Sequence, residues 1–196
     1  MRCGVLYSGG KDSTLAALVL EPFYEVTLVT ATFGIADVVA PGRRAAAAAG
    51  FDFETIDLDP TIAEAAVERM VTDGYPRTGI QRVHEHAVET IADAGFPAIA
   101  DGTRRDDRVP TIDRSVAQSV EDRFGVDYLA PLSGFGRDAI DALVEQHLRV
   151  ETGPSEAIPK ADYETELRAL MREEHGAETV ADVFPEHTQS RVVGRR

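Results

Sequence analysis

Six residues near the N-terminus combine side chains and spacing suited to holding phosphate: Ser8-Gly9-Gly10-Lys11-Asp12-Ser13. Two adjacent glycines let the backbone bend tightly and approach a ligand with no Cβ in the way. Ser8 and Ser13 supply short hydroxyl donors, and Lys11 supplies a compact positive charge. The flanking elements place these groups. Cys3-Gly4-Val5-Leu6-Tyr7 reads as a buried strand, and Thr14-Leu15-Ala16-Ala17-Leu18-Val19-Leu20 reads as a helix. A turn that opens a helix exposes unpaired N–H groups at the positive end of the helix dipole, where an anion is favoured. Asp12 is expected to cap that helix and order the loop rather than act as a base.

The spacing excludes two commoner phosphate loops. A P-loop needs Gly-x-x-x-x-Gly-Lys-Ser/Thr, but Asp12 follows Lys11 and Val5 stands where the first glycine belongs. The dinucleotide pattern Gly-x-Gly-x-x-Gly is also missing. The Ser-Gly-Gly-x-Asp-Ser signature in a strand–loop–helix context resembles the PP-loop ATP pyrophosphatase superfamily, the N-type, adenine nucleotide alpha hydrolase-like proteins. That resemblance implies ATP as ligand, its β- and γ-phosphates held by Ser8 to Ser13, and Mg²⁺ as cofactor. It implies transfer of AMP to a substrate oxygen with release of pyrophosphate, Lys11 stabilising the leaving group. On this reading Lys11→Ala removes pyrophosphate release and leaves the fold intact.

Alternating strand-like and helix-like segments predict an α/β fold, a doubly wound, mainly parallel sheet with helices on both faces. Five strands are expected: Cys3–Tyr7, Glu25–Phe33, Phe51–Leu58, Phe96–Ala100 and Asp127–Ala130. Their order is expected to be 3-2-1-4-5, similar to the PP-loop family. Pro41 is placed at the first position of a short helix ending at Gly50. The chain reads as a single domain over residues 1–196, with 150–196 a C-terminal helical extension and tail. Ligands of such sheets bind beyond the carboxyl ends of the strands, at the switch point.

Strand four runs into Asp101-Gly102-Thr103-Arg104-Arg105-Asp106-Asp107-Arg108, a loop dense in carboxylates and guanidiniums. It resembles the family's second motif, which implies Gly102 and Thr103 at the nucleotide and Asp106 or Asp107 on Mg²⁺. Strand five leads into Pro131-Leu132-Ser133-Gly134-Phe135-Gly136-Arg137-Asp138. Here the resemblance implies a phosphate-neutralising role for Arg137, where the family usually has lysine. Thr32 and Phe33, closing strand two, are candidates for adenine contact. The turn-rich Gly153–Lys160 loop and the polar string His187–Arg191 are each open to two readings, a surface segment or a cover that brings Lys160 or Arg191 to the site. His84 and His86 lie two apart on a helix and do not share a face, which makes them a poor zinc pair.

The chain carries 34 acidic against 20 basic residues, a formal charge of −14. That balance argues against a non-specific nucleic-acid or anionic-membrane binder, though a local patch from Arg104, Arg105, Arg108 and Arg114 stays open. Lys11 and Lys160 are the only lysines in a chain that otherwise uses arginine. This acidic, arginine-over-lysine, alanine-rich composition resembles proteins of a high-salt cytoplasm, with an archaeal look. No apolar run is long enough to span a bilayer. The lone Cys3 allows neither an internal disulfide nor a multi-cysteine metal site, and a cytoplasmic location is expected.

The expected function is therefore that of an ATP-binding PP-loop enzyme that adenylates an acceptor. Amide-forming ligase and RNA-modifying enzyme both stay open. The acceptor is a small molecule or RNA, a separate ammonia or sulfur donor protein is a candidate partner, and a homodimer is one assembly option. The competing reading is a non-catalytic ATP-binding regulator or subunit of the same broad fold.

Overall fold

A computed structural model describes residues 1–155 and 157–196; Glu156 of the turn-rich loop lies outside the described residues. Five strands form one sheet: β1 (Arg2–Leu6), β2 (Glu25–Thr32), β3 (Asp52–Asp57), β4 (Ala98–Ala100) and β5 (Asp127–Leu129). Their order is β3-β2-β1-β4-β5, and every neighbouring pair is parallel. β1 is central: Val5 sits opposite Leu28 on one side and Ala100 on the other.

Period-two alternation sorts the strand side chains onto two faces. Leu6, Val29, Ala31 and Ile99 pack in one cluster with α3 (Pro60–Asp73), α4 (Arg77–Asp93), α5 (Arg114–Phe124) and α7 (Tyr163–Val183). Val5, Leu28, Ala98 and Ala100 face the other way, against α1 (Lys11–Leu20) and α2 (Val39–Ala49). A third cluster joins Leu15 of α1 to Ile140 of α6 (Arg137–His147). The sheet is thus covered on both faces, as its nearly continuous apolar central strands require.

Two local expectations need correction. Pro41 is the third residue of α2, not the first, because the helix begins at Val39, and the Ala40 N–H there donates to Asp37 Oδ1 at 3.0 Å. The C-terminal extension is not only helical and does not end in a loose tail. β6 (Leu148–Pro154) and β7 (Thr188–Arg195) pair antiparallel as a second sheet, and α7 bends at Gly176 between them. The alternation Leu148-Arg149-Val150-Glu151-Thr152 is a strand signal. Its partner lies far along the sequence and is largely polar, so local reading does not pair them. Arg195 ties the end of β7 down: both terminal guanidinium nitrogens reach Glu21 at 2.9 Å, Nε donates to the Ala49 carbonyl, and the group lies over the Phe51 ring.

Candidate active site

Gly9 takes φ +75°, a conformation that spares glycine the Cβ clash and turns the chain from β1 into α1. α1 begins at Lys11 with no side-chain cap, so the expected capping by Asp12 does not occur. Asp12 instead sits in the first turn between Lys11 Nζ at 3.0 Å and Arg104 Nη1 at 3.7 Å. Among the described residues, no group accepts from the Asp12 and Ser13 N–H groups. The Ser8 and Ser13 hydroxyls lie 3.3 Å apart beside them. This is an uncapped helix start with hydroxyl donors, chemically matched to a phosphate group.

A cavity of about 240 Å³ opens at this point, beyond the ends of β1 and β4. Its polar lining includes Ser8, Asp12, Ser13, Thr103, Asp107 and Lys160, and Leu6, Ala31, Ile80 and Pro110 add apolar surface. Pockets for small ligands commonly measure roughly 300–1,000 Å³. At about 240 Å³ the cavity lies just below that range, with room for part of a larger ligand. Gly102 is packed so closely over α1 that an added Cβ would meet Ser13 N at 2.6 Å.

The Gly102–Thr103 step is held by Asp101, which is 1% exposed. Asp101 Oδ1 accepts from the Thr103 N–H at 2.9 Å and the Thr103 hydroxyl at 2.6 Å. Oδ2 accepts from the Tyr128 hydroxyl and His84 Nε2, both at 2.9 Å. Burial alone would raise the pKa of Asp101, but the hydrogen bond and charge of His84, with the Thr103 donors, outweigh it and hold the carboxyl below its ordinary value. His84 Nδ1 meets the Tyr163 hydroxyl at 2.8 Å. Burial and the carboxylates of Asp162, Asp101 and Glu164 keep Tyr163 protonated well above the usual tyrosine range. Tyr163 therefore keeps its hydroxyl proton in this contact, while Nε2 faces the Asp101 carboxylate.

His84 is thus a buried hydrogen-bonding residue beside the cavity, a role that its spacing from His86 does not reveal. Its position in the stripe Ile80, His84, Ala87, Ile91 marks the buried face of α4, where an imidazole needs polar partners. His86 is elsewhere, its Nε2 accepting from the Asp59 N–H at 3.2 Å.

The C-terminal third folds over the loop. Ala161 N–H donates to the Ser8 carbonyl and Val192 N–H to the Gly9 carbonyl, both at 2.9 Å. Lys160 thereby reaches the cavity and is the only lysine or arginine among its lining residues. Its Nζ lies 2.9 Å from Asp162 Oδ2. Burial would lower the Lys160 pKa, but the Asp162 carboxylate more than offsets this and the ammonium is held above its ordinary value. Lys11 is turned away, between Asp12 at 3.0 Å and Asp141 at 3.6 Å, and does not line the cavity.

The other expected site residues divide in the same way. Gly102, Thr103 and Asp107 line the cavity; Asp106, Arg137, Thr32 and Phe33 do not. Asp106 pairs with the exposed Arg137 at 3.4 Å, so the second and third motifs meet outside the cavity. The polar groups of Thr32 and Phe33 are already engaged: the Thr32 hydroxyl and the Phe33 and Ile35 N–H groups all donate to the fully buried Glu166, at 2.9 to 3.0 Å. Two of the four patch arginines are ion-paired, Arg104 with Asp107 and Arg114 with Glu121, both at 2.7 Å.

Mg²⁺ in a phosphate site takes one or two carboxylates, with phosphates and water completing the shell. Asp107 gives both oxygens to Arg104, Oδ2 to its N–H at 2.8 Å and Oδ1 to Nη2 at 2.7 Å. Among the described residues Asp12 Oδ2 accepts no hydrogen bond, with the Arg104 guanidinium 3.7 Å away. Asp12 is therefore a further candidate carboxylate for a cation, beside Asp106 and Asp107.

The model of the family described as "Family of unknown function (DUF7411)" matches residues 1–194. The chain is 39% identical over 191 residues to the uncharacterized protein MJ0690 of Methanocaldococcus jannaschii, covering 97% of this chain and 94% of that one. It is also similar to a crystal structure described as that of a predicted subunit of tRNA methyltransferase from Methanocaldococcus jannaschii. That likeness has 38% identity and a TM-score of 0.90, and covers 100% of this chain and 98% of the other.

Proposed function

The chain belongs to the DUF7411 family, and from that starting point we propose that it is a PP-loop nucleotidyl transferase: it binds ATP at the Ser8–Ser13 loop and transfers AMP to an acceptor oxygen. The observation that carries this reading is the convergence on one cavity of an uncapped helix start, two hydroxyls, the close backbone of Gly102 and the Lys160 ammonium. In the reaction an acceptor oxygen forms a bond to the α-phosphorus, and the bond between that phosphorus and the oxygen leading to the β-phosphate breaks. Pyrophosphate leaves, and the acceptor's proton passes to solvent.

The protein's part is positioning and charge neutralisation. The Asp12 and Ser13 N–H groups and Lys160 would hold the leaving pyrophosphate. Asp12 would hold Mg²⁺, which when bound neutralises phosphate charge. No side-chain nucleophile is required. The description of the Methanocaldococcus jannaschii structure favours RNA as the acceptor class and supports a partner protein. The same words support a second reading, a nucleotide-binding subunit without turnover of its own.

Incubation with ATP, Mg²⁺ and bulk tRNA separates these readings. The transferase yields pyrophosphate and an equal amount of AMP-bearing acceptor, with free AMP appearing only where water then cleaves that adduct. ADP as product, or tight ATP binding without turnover, overturns it.

A further inference from the structure

We propose that a second cleft, on the other side of Gly9, is a subsite for a phosphate group of the acceptor; this rests on the nucleotidyl-transfer reading of the first cavity. The cleft holds about 260 Å³ between α2 and β7. The charged residues lining it are Arg44, Lys160 and Arg191, with no carboxylate among its described lining residues. In a chain of net charge −14 this is a local inversion of sign. The rest of the wall is small and apolar, including Pro41, Ala45 and Val192.

The three cations have donors to spare. Arg44 is exposed and forms no ion pair among the described residues. Arg191 gives Nε and Nη2 to Glu151, at 2.9 and 2.7 Å, which leaves Nη1. Lys160 spends one hydrogen on Asp162, at 2.9 Å, and keeps two. Forked guanidinium donors beside an ammonium match the oxygens of a phosphate ester.

Lys160 and Ala161 line both the cleft and the nucleotide cavity. An acceptor anchored by its phosphate in the cleft therefore stands next to the nucleotide, separated from it by the Lys160 side chain. The arrangement also reconciles an acidic surface with a phosphate-bearing partner: recognition is confined to one slot while the remaining surface repels non-specific polyanions.

The test uses the full chain at low ionic strength, its loop saturated with α,β-methylene ATP. Ribose 5-phosphate and a short single-stranded RNA are then titrated separately. One of them is expected to bind, with Arg44→Glu and Arg191→Gln each weakening that event about tenfold or more and leaving the analogue's affinity within about twofold. Binding of ribose 5-phosphate alone points to a small phosphorylated acceptor, and binding of RNA to a backbone phosphodiester. Three outcomes overturn the subsite: no binding of either probe to the wild type, probe affinity unchanged in both variants, or an equal loss of analogue affinity, which would make the cleft part of the nucleotide site. If the analogue fails to bind while RNA binding still depends on Arg44, the cleft stands and the nucleotide reading falls.

Discussion

Gly102 lies against the first turn of α1 so tightly that a Cβ there would sit 2.6 Å from the Ser13 nitrogen and 2.7 Å from its Cα. Both obstacles are backbone, so a larger residue has to push β4's loop off the helix start. Gly102→Ala is expected to cost about 1–3 kcal/mol of stability by overpacking. It should also weaken α,β-methylene ATP binding by about tenfold, through displacement of the Thr103 and Ser13 donors. Thermal melts and titration calorimetry check both effects. A variant with wild-type stability and affinity would show that the close approach has no bearing on the cavity.

The cavity faces Lys160 rather than Lys11, and the order of importance expected from the loop motif is predicted to reverse. Lys160→Ala is predicted to lower kcat/KM for pyrophosphate release by about 100-fold, the scale of losing one group that stabilises developing charge. Lys11→Ala removes a partly exposed ion pair with Asp12 and is predicted to lower it by less than tenfold. If Lys11→Ala proves the more damaging, the ammonium must swing from Asp141 into the cavity when the nucleotide binds.

Asp101 and Asp162 are both held more acidic in the fold than an ordinary aspartate, against the opposing effect of burial. The unfolded chain therefore binds more protons in acid. Their contribution to stability is complete above the unfolded aspartate pKa of about 3.9 and is lost as pH falls through the lower folded values. Urea midpoints measured from neutral pH down to about pH 3 should drop in that acid window. Asp101→Asn should flatten the drop and cost about 1.5–3 kcal/mol at neutral pH, the scale of hydrogen bonds to a charged group.

Glu166 gathers Thr32, Phe33 and Ile35 from the end of β2 onto one buried carboxylate. Glu166→Ala leaves those donors without an acceptor and is predicted to destabilise by about 2–4 kcal/mol, read as a lower urea midpoint. Release of the Phe33 N–H also offers a direct test of the adenine expectation. An increase in nucleotide affinity in this variant would mean that Glu166 competes for the adenine-binding backbone.

Burial pushes the Cys3 thiol up to about 12. The thiolate is the reactive form, so alkylating reagents should label the native protein negligibly at neutral pH and the unfolded chain readily. The ratio of the two rates reports opening of the β1 core. Fast labelling under native conditions would place Cys3 in a mobile strand.

What the sequence determined by itself is local. Ser8 to Ser13 form a strand-to-helix turn because the glycines, the apolar run before them and the helix formers after them all act within a few residues. The parallel α/β sheet was equally legible from the alternation of strand and helix patterns, and its order 3-2-1-4-5 from the resemblance to the PP-loop family. The composition of the site was decided by contacts between residues far apart in the chain. His84 reaches Asp101, Glu166 reaches Phe33, and Val192 reaches Gly9. Each of these joins buried polar groups that must find partners, and no pattern within one segment says which distant partner they will find. The same packing turned Lys11 outward and brought Lys160 in, because the direction of a long side chain follows from the charges and cavities around it rather than from its place in a motif.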